Sequence, residues 1–376
     1  MSVTRLELRT ALGPVYRDVL SNPPRECTAD EIPIIDLEPM FSNELSERRK
    51  VAAAIRVAAV NNGFFYVKNH GIPTGVIKQC KEQVLNFMHQ PQEKKDLVSS
   101  RTRSKYYNGY LARRSAQISP SETADVRESF SFRYSPELDP DHPMDLSEVP
   151  DEVRPWIRGE DFVWEDTGHL AGFQQDLLSY WRGCLTLARQ LVRMFALSLD
   201  LEENYWDDKV THPGADGVFN YYPKRNQEEI EQKFVGLGSH TDLQLFTLLW
   251  QDDVGGLQVL TREGQWIKAP PIRDTLVVNI GDFMMRLCND IYMSTVHRVI
   301  ETDQERVSMP FFFGLNFNCV EGVVPSCTSS SNPAKYKPIS CGDWCQMRFK
   351  IEREDFEKKS EQASKLVAPS AVVVSA

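Results

Sequence analysis

His240-Thr241-Asp242 sets an imidazole and a carboxylate two positions apart in a 376-residue chain. On a strand, residues i and i+2 point to the same side, so both groups can reach one point across about 7 Å of strand. His297, in Ser294-Thr295-Val296-His297-Arg298-Val299, could add a third ligand from another strand. Two imidazoles and one carboxylate cover one face of an octahedron and leave three positions open, the arrangement in which a ferrous ion takes up both a substrate and oxygen. With 7 histidines and 53 acidic residues, a His-x-Asp/Glu pair is expected about once by chance and occurs once, so the pair alone decides nothing.

A second constellation follows nine residues after His297. Arg306 offers a planar fork that matches a carboxylate bidentately, and Ser308 faces the same way along a strand. His70 lies in the turn Asn69-His70-Gly71 and is read as structural, while His89, His142, His169 and His212 lack partners at ligand spacing.

The elements that must position these groups change character along the chain. Ile32-Pro33-Ile34-Ile35-Asp36-Leu37 is a short β-branched run that Pro33 confines to an edge or a strand start. Ser42 or Asn43 can cap a helix carrying Val51, Ile55, Ala58 and Ala59 on one face, and Asn61-Asn62-Gly63 stops it. Phe64-Phe65-Tyr66-Val67 reads as a strand, and a second helix from Pro73-Thr74 turns Ile77, Cys80, Val84, Phe87 and Met88 inward. Residues from Ser99 to Ser121 read as a long loop, Asp125 to Tyr134 as a strand, and Pro136 to Pro155 as an exposed connection. Apolar positions from Leu170 to Phe195 recur every three or four residues and predict one long helix.

After Asn204 short strands alternate with Gly, Pro and Asp: Val218 to Tyr222, Leu243 to Trp250, Leu257 to Leu260, Trp266 to Ala269, Thr275 to Ile280, Thr295 to Ile300 and Val307 to Asn316. Such strands indicate an antiparallel sandwich or barrel, buttressed by the preceding helices. One domain is expected over 1–376, with a helical and β region at 30–135, a supporting helix at 165–210, the β core at 215–320, and a C-terminal helix with a frayed tail at 338–376.

Composition narrows the partners. A net charge of -10 disfavours nucleic acid and anionic membranes, and no apolar run approaches the ~20 residues a membrane helix needs. Arg101, Arg103, Lys105, Arg113 and Arg114 form a basic stretch that reads as a solvated loop, an anionic small molecule being the other reading. Eight scattered cysteines and an N-terminus that leads into no secretion segment point to a reduced, cytoplasmic protein, a monomer or weak homo-oligomer acting on a small molecule.

Asn220-Tyr221-Tyr222-Pro223, Leu237-Gly238-Ser239-His240-Thr241-Asp242, Gly256-Leu257-Gln258-Val259, Leu276-Val277-Val278-Asn279-Ile280-Gly281-Asp282, Ser294 to Val299 and Arg306-Val307-Ser308 appear in the order and spacing of one family. With the Ile32 to Leu37 run and Gly63 to Ile72, they make the chain resemble the isopenicillin N synthase-like branch of the Fe(II)/2-oxoglutarate-dependent dioxygenases over residues 32–353. The resemblance implies an α+β fold, a double-stranded β-helix or distorted jelly roll braced by helices. It implies that His240, Asp242 and His297 ligate Fe(II), and that Arg306 and Ser308, assisted by Asn220 and Tyr222, hold the distal carboxylate of 2-oxoglutarate. The reaction it implies couples oxidative decarboxylation of 2-oxoglutarate by O2 to hydroxylation, desaturation or ring rearrangement of an unactivated carbon. Phe312 shares the face of Arg306 and Ser308 by strand parity, and Tyr110, Phe130, Phe283 and Leu315 are candidate further walls of an apolar site for a flat small molecule. The motif wording is closer to fungal natural-product members than to plant flavonoid ones. Two other readings remain open, an oxidase that dispenses with 2-oxoglutarate and a non-catalytic binding protein on the same fold.

Overall fold

The computed structural model describes residues 2–300 and 304–351. Its strands, in chain order, are β1 (Val3–Thr10), β2 (Gly13–Leu20), β3 (Arg25–Glu26), β4 (Ile34–Asp36), β5 (Phe64–Lys68), β6 (Gly109–Leu111), β7 (Glu128–Phe132) and β8 (Pro213–Tyr222). The second half adds β9 (Leu237–His240), β10 (Phe246–Gln251), β11 (Leu257–Leu260), β12 (Trp266–Lys268), β13 (Thr275–Ile280), β14 (His297–Val299) and β15 (Arg306–Asn316). An eight-stranded sheet has the order β4-β5-β13-β10-β15-β8-β7-β6, and a five-stranded sheet the order β3-β12-β11-β14-β9. From β8 to β15 the chain crosses back and forth between the two, which is the double-stranded β-helix of an α+β protein.

Strand alternation decides what each sheet shows to each side. Along β15, Val307, Met309, Phe311, Phe313 and Leu315 enter the main apolar core, whereas Arg306, Ser308, Pro310 and Phe312 line a cavity between the sheets. Along β8, Ala215, Phe219 and Tyr221 go to the core while Asp216, Val218, Asn220 and Tyr222 go to the cavity.

The long helix Phe173–Ser198 buries Phe173, Leu177, Trp181, Cys184, Ala188, Leu191 and Phe195 against the outer face of the large sheet, as its periodicity requires. It is also pinned there by hydrogen bonds, Tyr180 Oη donating to the Met309 carbonyl at 2.9 Å and Trp181 Nε1 to the Ala215 carbonyl at 3.2 Å. The helix therefore holds β8 and β15 from behind. The first helix, Leu45–Asn61, ends where expected: Gly63 takes a φ of +69°, and a Cβ there would lie 2.1 Å from the Met293 carbonyl oxygen.

Several expectations need amendment. Residues 99–121 are not one loop, since they contain a helical turn at Ser100–Arg103 and the edge strand β6. The hairpin β1–β2 was not foreseen; Leu6, Leu8 and Val19 pack on Leu260, Trp266 and Val296 of the small sheet. The basic stretch is largely neutralised, with Arg113 on the buried Glu229, Arg114 on Glu228 and Arg103 on Asp166. All eight cysteines are free, and Cys341 and Cys345 pack in the core. A final helix is seen at 341–351, and the frayed tail expected toward residue 376 lies outside the described residues. Among the described residues no helix is long and apolar enough to cross a membrane.

Candidate active site

His240 ends β9, His297 begins β14, and the two are register partners in the small sheet. Their ring centroids are 4.3 Å apart. Asp242, just beyond β9, turns Oδ1 toward both, 3.6 Å from His240 Nε2 and 3.7 Å from His297 Nε2. One ligand atom from each residue lies within 4.8 Å of the others, and all three side chains are buried, a spacing at which a single metal ion can be held.

Neighbouring groups fix which atoms face inward. His240 Nδ1–H donates to its own strand at the Gly238 carbonyl, 2.8 Å away, and His297 Nδ1–H to the Thr295 carbonyl at 3.1 Å. Each bond leaves the Nε2 lone pair free for a metal. Asp242 Oδ2 accepts from Thr247 Oγ1 at 2.5 Å and from Asn279 Nδ2 at 2.7 Å, which reserves Oδ1. Burial, reinforced by the adjacent His297, pushes the His240 pKa well below the usual imidazole range. Burial opposes ionisation of Asp242, but the two imidazoles and the bonds from Asn279 and Thr247 outweigh it and hold the carboxyl below its usual range. A neutral His240 and an ionised Asp242 are the states that metal ligation needs.

The opposite wall comes from the large sheet. Arg306 pairs in register with Tyr222, and Ser308 with Asn220, so the four residues form one patch on β15 and β8. Arg306 is 1% exposed; its Nη2 donates to Gln251 Oε1 at 3.3 Å and its guanidinium carbon sits 4.8 Å from the Tyr222 ring centroid. Nε and Nη1 are buried with no hydrogen-bond partner. A desolvated guanidinium in this state costs several kcal/mol. An anion placed against Arg306 and Ser308 removes that cost, so these residues fit a carboxylate ligand a short way from the three-residue cluster. The cavity that joins the two groups has a volume of about 290 Å³.

The sequence-derived site residues therefore divide. His240, Asp242, His297, Arg306, Ser308, Asn220, Tyr222 and Phe312 all face this cavity. Tyr110, Phe130, Phe283 and Leu315 do not; they are buried in the main core. For Leu315 the reason is parity, since it lies an odd number of positions from Phe312 and so faces the helices. Tyr110 and Phe130 are opposite each other on β6 and β7 and also point to the helices, the Tyr110 hydroxyl donating to Glu128 at 2.6 Å. Phe283 belongs to a short helix, Asp282–Leu287, that follows β13. The sequence reading missed Thr247, which steadies Asp242, and the polar row of Ser129 and Ser131 on β7 with Arg127 and Arg133 at its two ends. The alternation Arg-x-Ser-Phe-Ser-Phe-Arg carried the signal for that row.

The models of two known families match the chain, the 2OG-Fe(II) oxygenase superfamily at residues 216–315 and the non-haem dioxygenase N-terminal region at residues 32–153. A 2-oxoglutarate-Fe(II) type oxidoreductase of Metarhizium majus is 40% identical over 92% of this chain and 94% of its own length. The chain belongs to the 2-oxoglutarate-Fe(II) oxygenase superfamily. Isopenicillin N synthase of Penicillium rubens is 31% identical over 84% of this chain and 94% of its own. Among solved structures, a full-length Neurospora crassa protein in complex with alpha-KG and thymine superimposes with a TM-score of 0.71 at 27% identity, over 87% of this chain and 99% of that one. The oxygenase is thus an iron enzyme that uses 2-oxoglutarate and O2 as cosubstrates.

Proposed function

We propose that in this oxygenase His240, Asp242 and His297 ligate the ferrous ion, while Arg306 and Ser308, flanked by Asn220 and Tyr222, take the distal carboxylate of 2-oxoglutarate. The observation that carries the assignment is Arg306, a buried cation with two unmatched nitrogens in the same cavity as a three-ligand cluster. Bound together, iron and 2-oxoglutarate supply an oxidant strong enough to remove hydrogen from an unactivated carbon, with succinate and carbon dioxide as by-products.

The chain's own residues do the rest. The Gly238 and Thr295 carbonyls and the pair Thr247 and Asn279 orient the ligand atoms before the metal arrives. The buried walls exclude water from the reacting centre. Phe312, on the strand of Arg306, presents an apolar surface that orients the substrate. Hydroxylation is the default outcome, and desaturation or ring rearrangement needs only a different orientation of the same carbon. The fungal oxidoreductase and the isopenicillin N synthase among its relatives support a role in natural-product biosynthesis.

Anaerobic titration tests the assignment. Fe(II)-loaded protein is expected to develop a visible charge-transfer band on addition of 2-oxoglutarate, and His240→Ala and His297→Ala are expected to lose it. Retention of the band and of coupled succinate release in both variants would remove these residues from the metal site.

A further inference from the structure

The cavity wall built by β7 and the residues at its two ends carries a polar row. Alternation along residues 127–133 sends Phe130 and Phe132 into the main core and Arg127, Ser129, Ser131 and Arg133 into the cavity. Arg133 is already matched. Its Nη1 lies 3.8 Å from Asp216 Oδ2, its Nε donates to the Tyr106 carbonyl at 3.2 Å, and Asp216 also accepts from Gln244 Nε2 at 3.0 Å. Ser131 is occupied too, its hydroxyl donating to the Tyr107 carbonyl at 2.7 Å.

Arg127 differs from both. Nη1 donates to the amide oxygen of Asn220 at 2.7 Å, a neutral acceptor, and Nε is buried with no partner. No carboxylate among the described residues pairs with it. Three arginines of the cavity carry an unmatched nitrogen, Arg306 on β15, Arg348 and Arg127. The charge of Arg348 acts on the buried Asp282, whereas Arg306 and Arg127 are in no ion pair among the described residues; β15 and β7, beside which Arg127 lies, flank β8 about 10 Å apart.

Counting acids shows what Arg127 lacks. On the proposed function, on which this step rests, 2-oxoglutarate brings two carboxylates. One goes to the metal and the other to Arg306 and Ser308, so neither is left for Arg127. We propose that Arg127 is the specificity residue of this oxygenase and that its substrate is a small organic acid whose carboxylate docks on Arg127 beside the Ser129 hydroxyl.

The guanidinium fork suits a carboxylate bidentately. A neutral analogue would leave the buried nitrogen unmatched, so the site discriminates by the penalty it keeps as well as by the bond it makes. Size follows from the cavity, whose roughly 290 Å³ must be shared with the cosubstrate. The apolar surface of Phe312 then faces the carbon skeleton rather than the polar end.

Matched acids and amides test the proposal. Cyclohexanecarboxylate, benzoate, phenylacetate and N-acetylglycinate are each compared with their primary amide on full-length protein carrying Fe(II) and 2-oxoglutarate. Thermal shift is read under argon and succinate release under air. At least one acid is expected to raise Tm and succinate release while its amide does neither. Arg127→Gln is expected to weaken that acid about 10- to 100-fold and leave the KM for 2-oxoglutarate within about twofold, with Arg127→Lys recovering part of the loss. Equal response to acids and amides, no response to any acid, or a loss that appears in the KM for 2-oxoglutarate instead each overturns the proposal. Failure of the charge-transfer band in the unmodified enzyme would instead strike at the metal and cosubstrate assignment, so the two failures are distinguishable.

Discussion

Each of the three candidate iron ligands is fixed at its far side by a hydrogen bond, and that bond sets the cost of disturbing the site. Asn279 and Thr247 both spend their donors on Asp242 Oδ2. Asn279→Ala is expected to lower Fe(II) affinity about 10- to 100-fold with little change in secondary structure, measured by metal titration against a chelator. An unchanged affinity would mean that Asp242 does not need holding. Arg306 makes the opposite kind of prediction. Without cosubstrate it is a buried cation short of partners, so Arg306→Met is expected to raise the stability of the ligand-free protein by about 1–3 kcal/mol while raising the KM for 2-oxoglutarate at least about tenfold. Denaturant melts with and without 2-oxoglutarate check this, and a less stable ligand-free variant would show that Arg306 is already satisfied. At this scale the chemistry was legible because ligand types, strand parity and motif order name the same residues. The apolar walls were less so. An aromatic in a strand reads alike whether it faces helices or cavity until parity is counted from a fixed neighbour, and for Leu315 that count from Phe312 gives the core face.

Elements carry the site by holding its strands from outside. The central strands were readable from alternation, and β11 and β13 have the bounds the sequence predicts. The hairpin β1–β2 was not, although Leu6 and Leu8 alternate with Arg5, Glu7 and Arg9. Its inward charge, Arg9, is buried by donating Nη1 to the carbonyls of Gln117 at 2.6 Å and Ile118 at 3.1 Å, more than a hundred residues away. No local pattern announces such a partner. Gln117 and Ile118 both line the cavity, so the hairpin braces a substrate-side loop. Arg9→Ala leaves two part-buried carbonyls without that donor and is expected to cost about 1–2 kcal/mol. Faster amide hydrogen exchange at residues 116–119, with metal affinity unchanged, is the expected signature. Exchange confined to the hairpin itself would show that it braces nothing.

Over the whole molecule, the long helix was legible from periodicity alone, but the way the connection after β7 is tied to it was not. Asp139 looked like part of an exposed, Pro- and Asp-rich stretch, yet its side chain is fully buried. Arg189 of the long helix donates Nη1 and Nη2 to its two oxygens at 2.8 Å and 2.6 Å, the Tyr134 hydroxyl donates at 2.9 Å, and the backbone N–H of Asp141 donates at 3.0 Å. Burial works against the charged form, but these donors outweigh it and hold the Asp139 carboxyl below its ordinary range. Breaking a buried pair by removing one partner typically costs about 3–5 kcal/mol, and Asp139→Ala is expected to fall in that range. The sign with pH follows from the depressed value. In the unfolded chain an aspartate titrates near about 3.9, so the stabilisation is complete above that pH and is lost as pH falls toward the lower folded value. The stability gap between the unmodified protein and Asp139→Asn should therefore be constant from neutral pH down to about pH 5 and narrow below about pH 4. Denaturant melts across that range measure it, and a gap that stays constant down to about pH 3 would show that Asp139 acts through packing rather than charge.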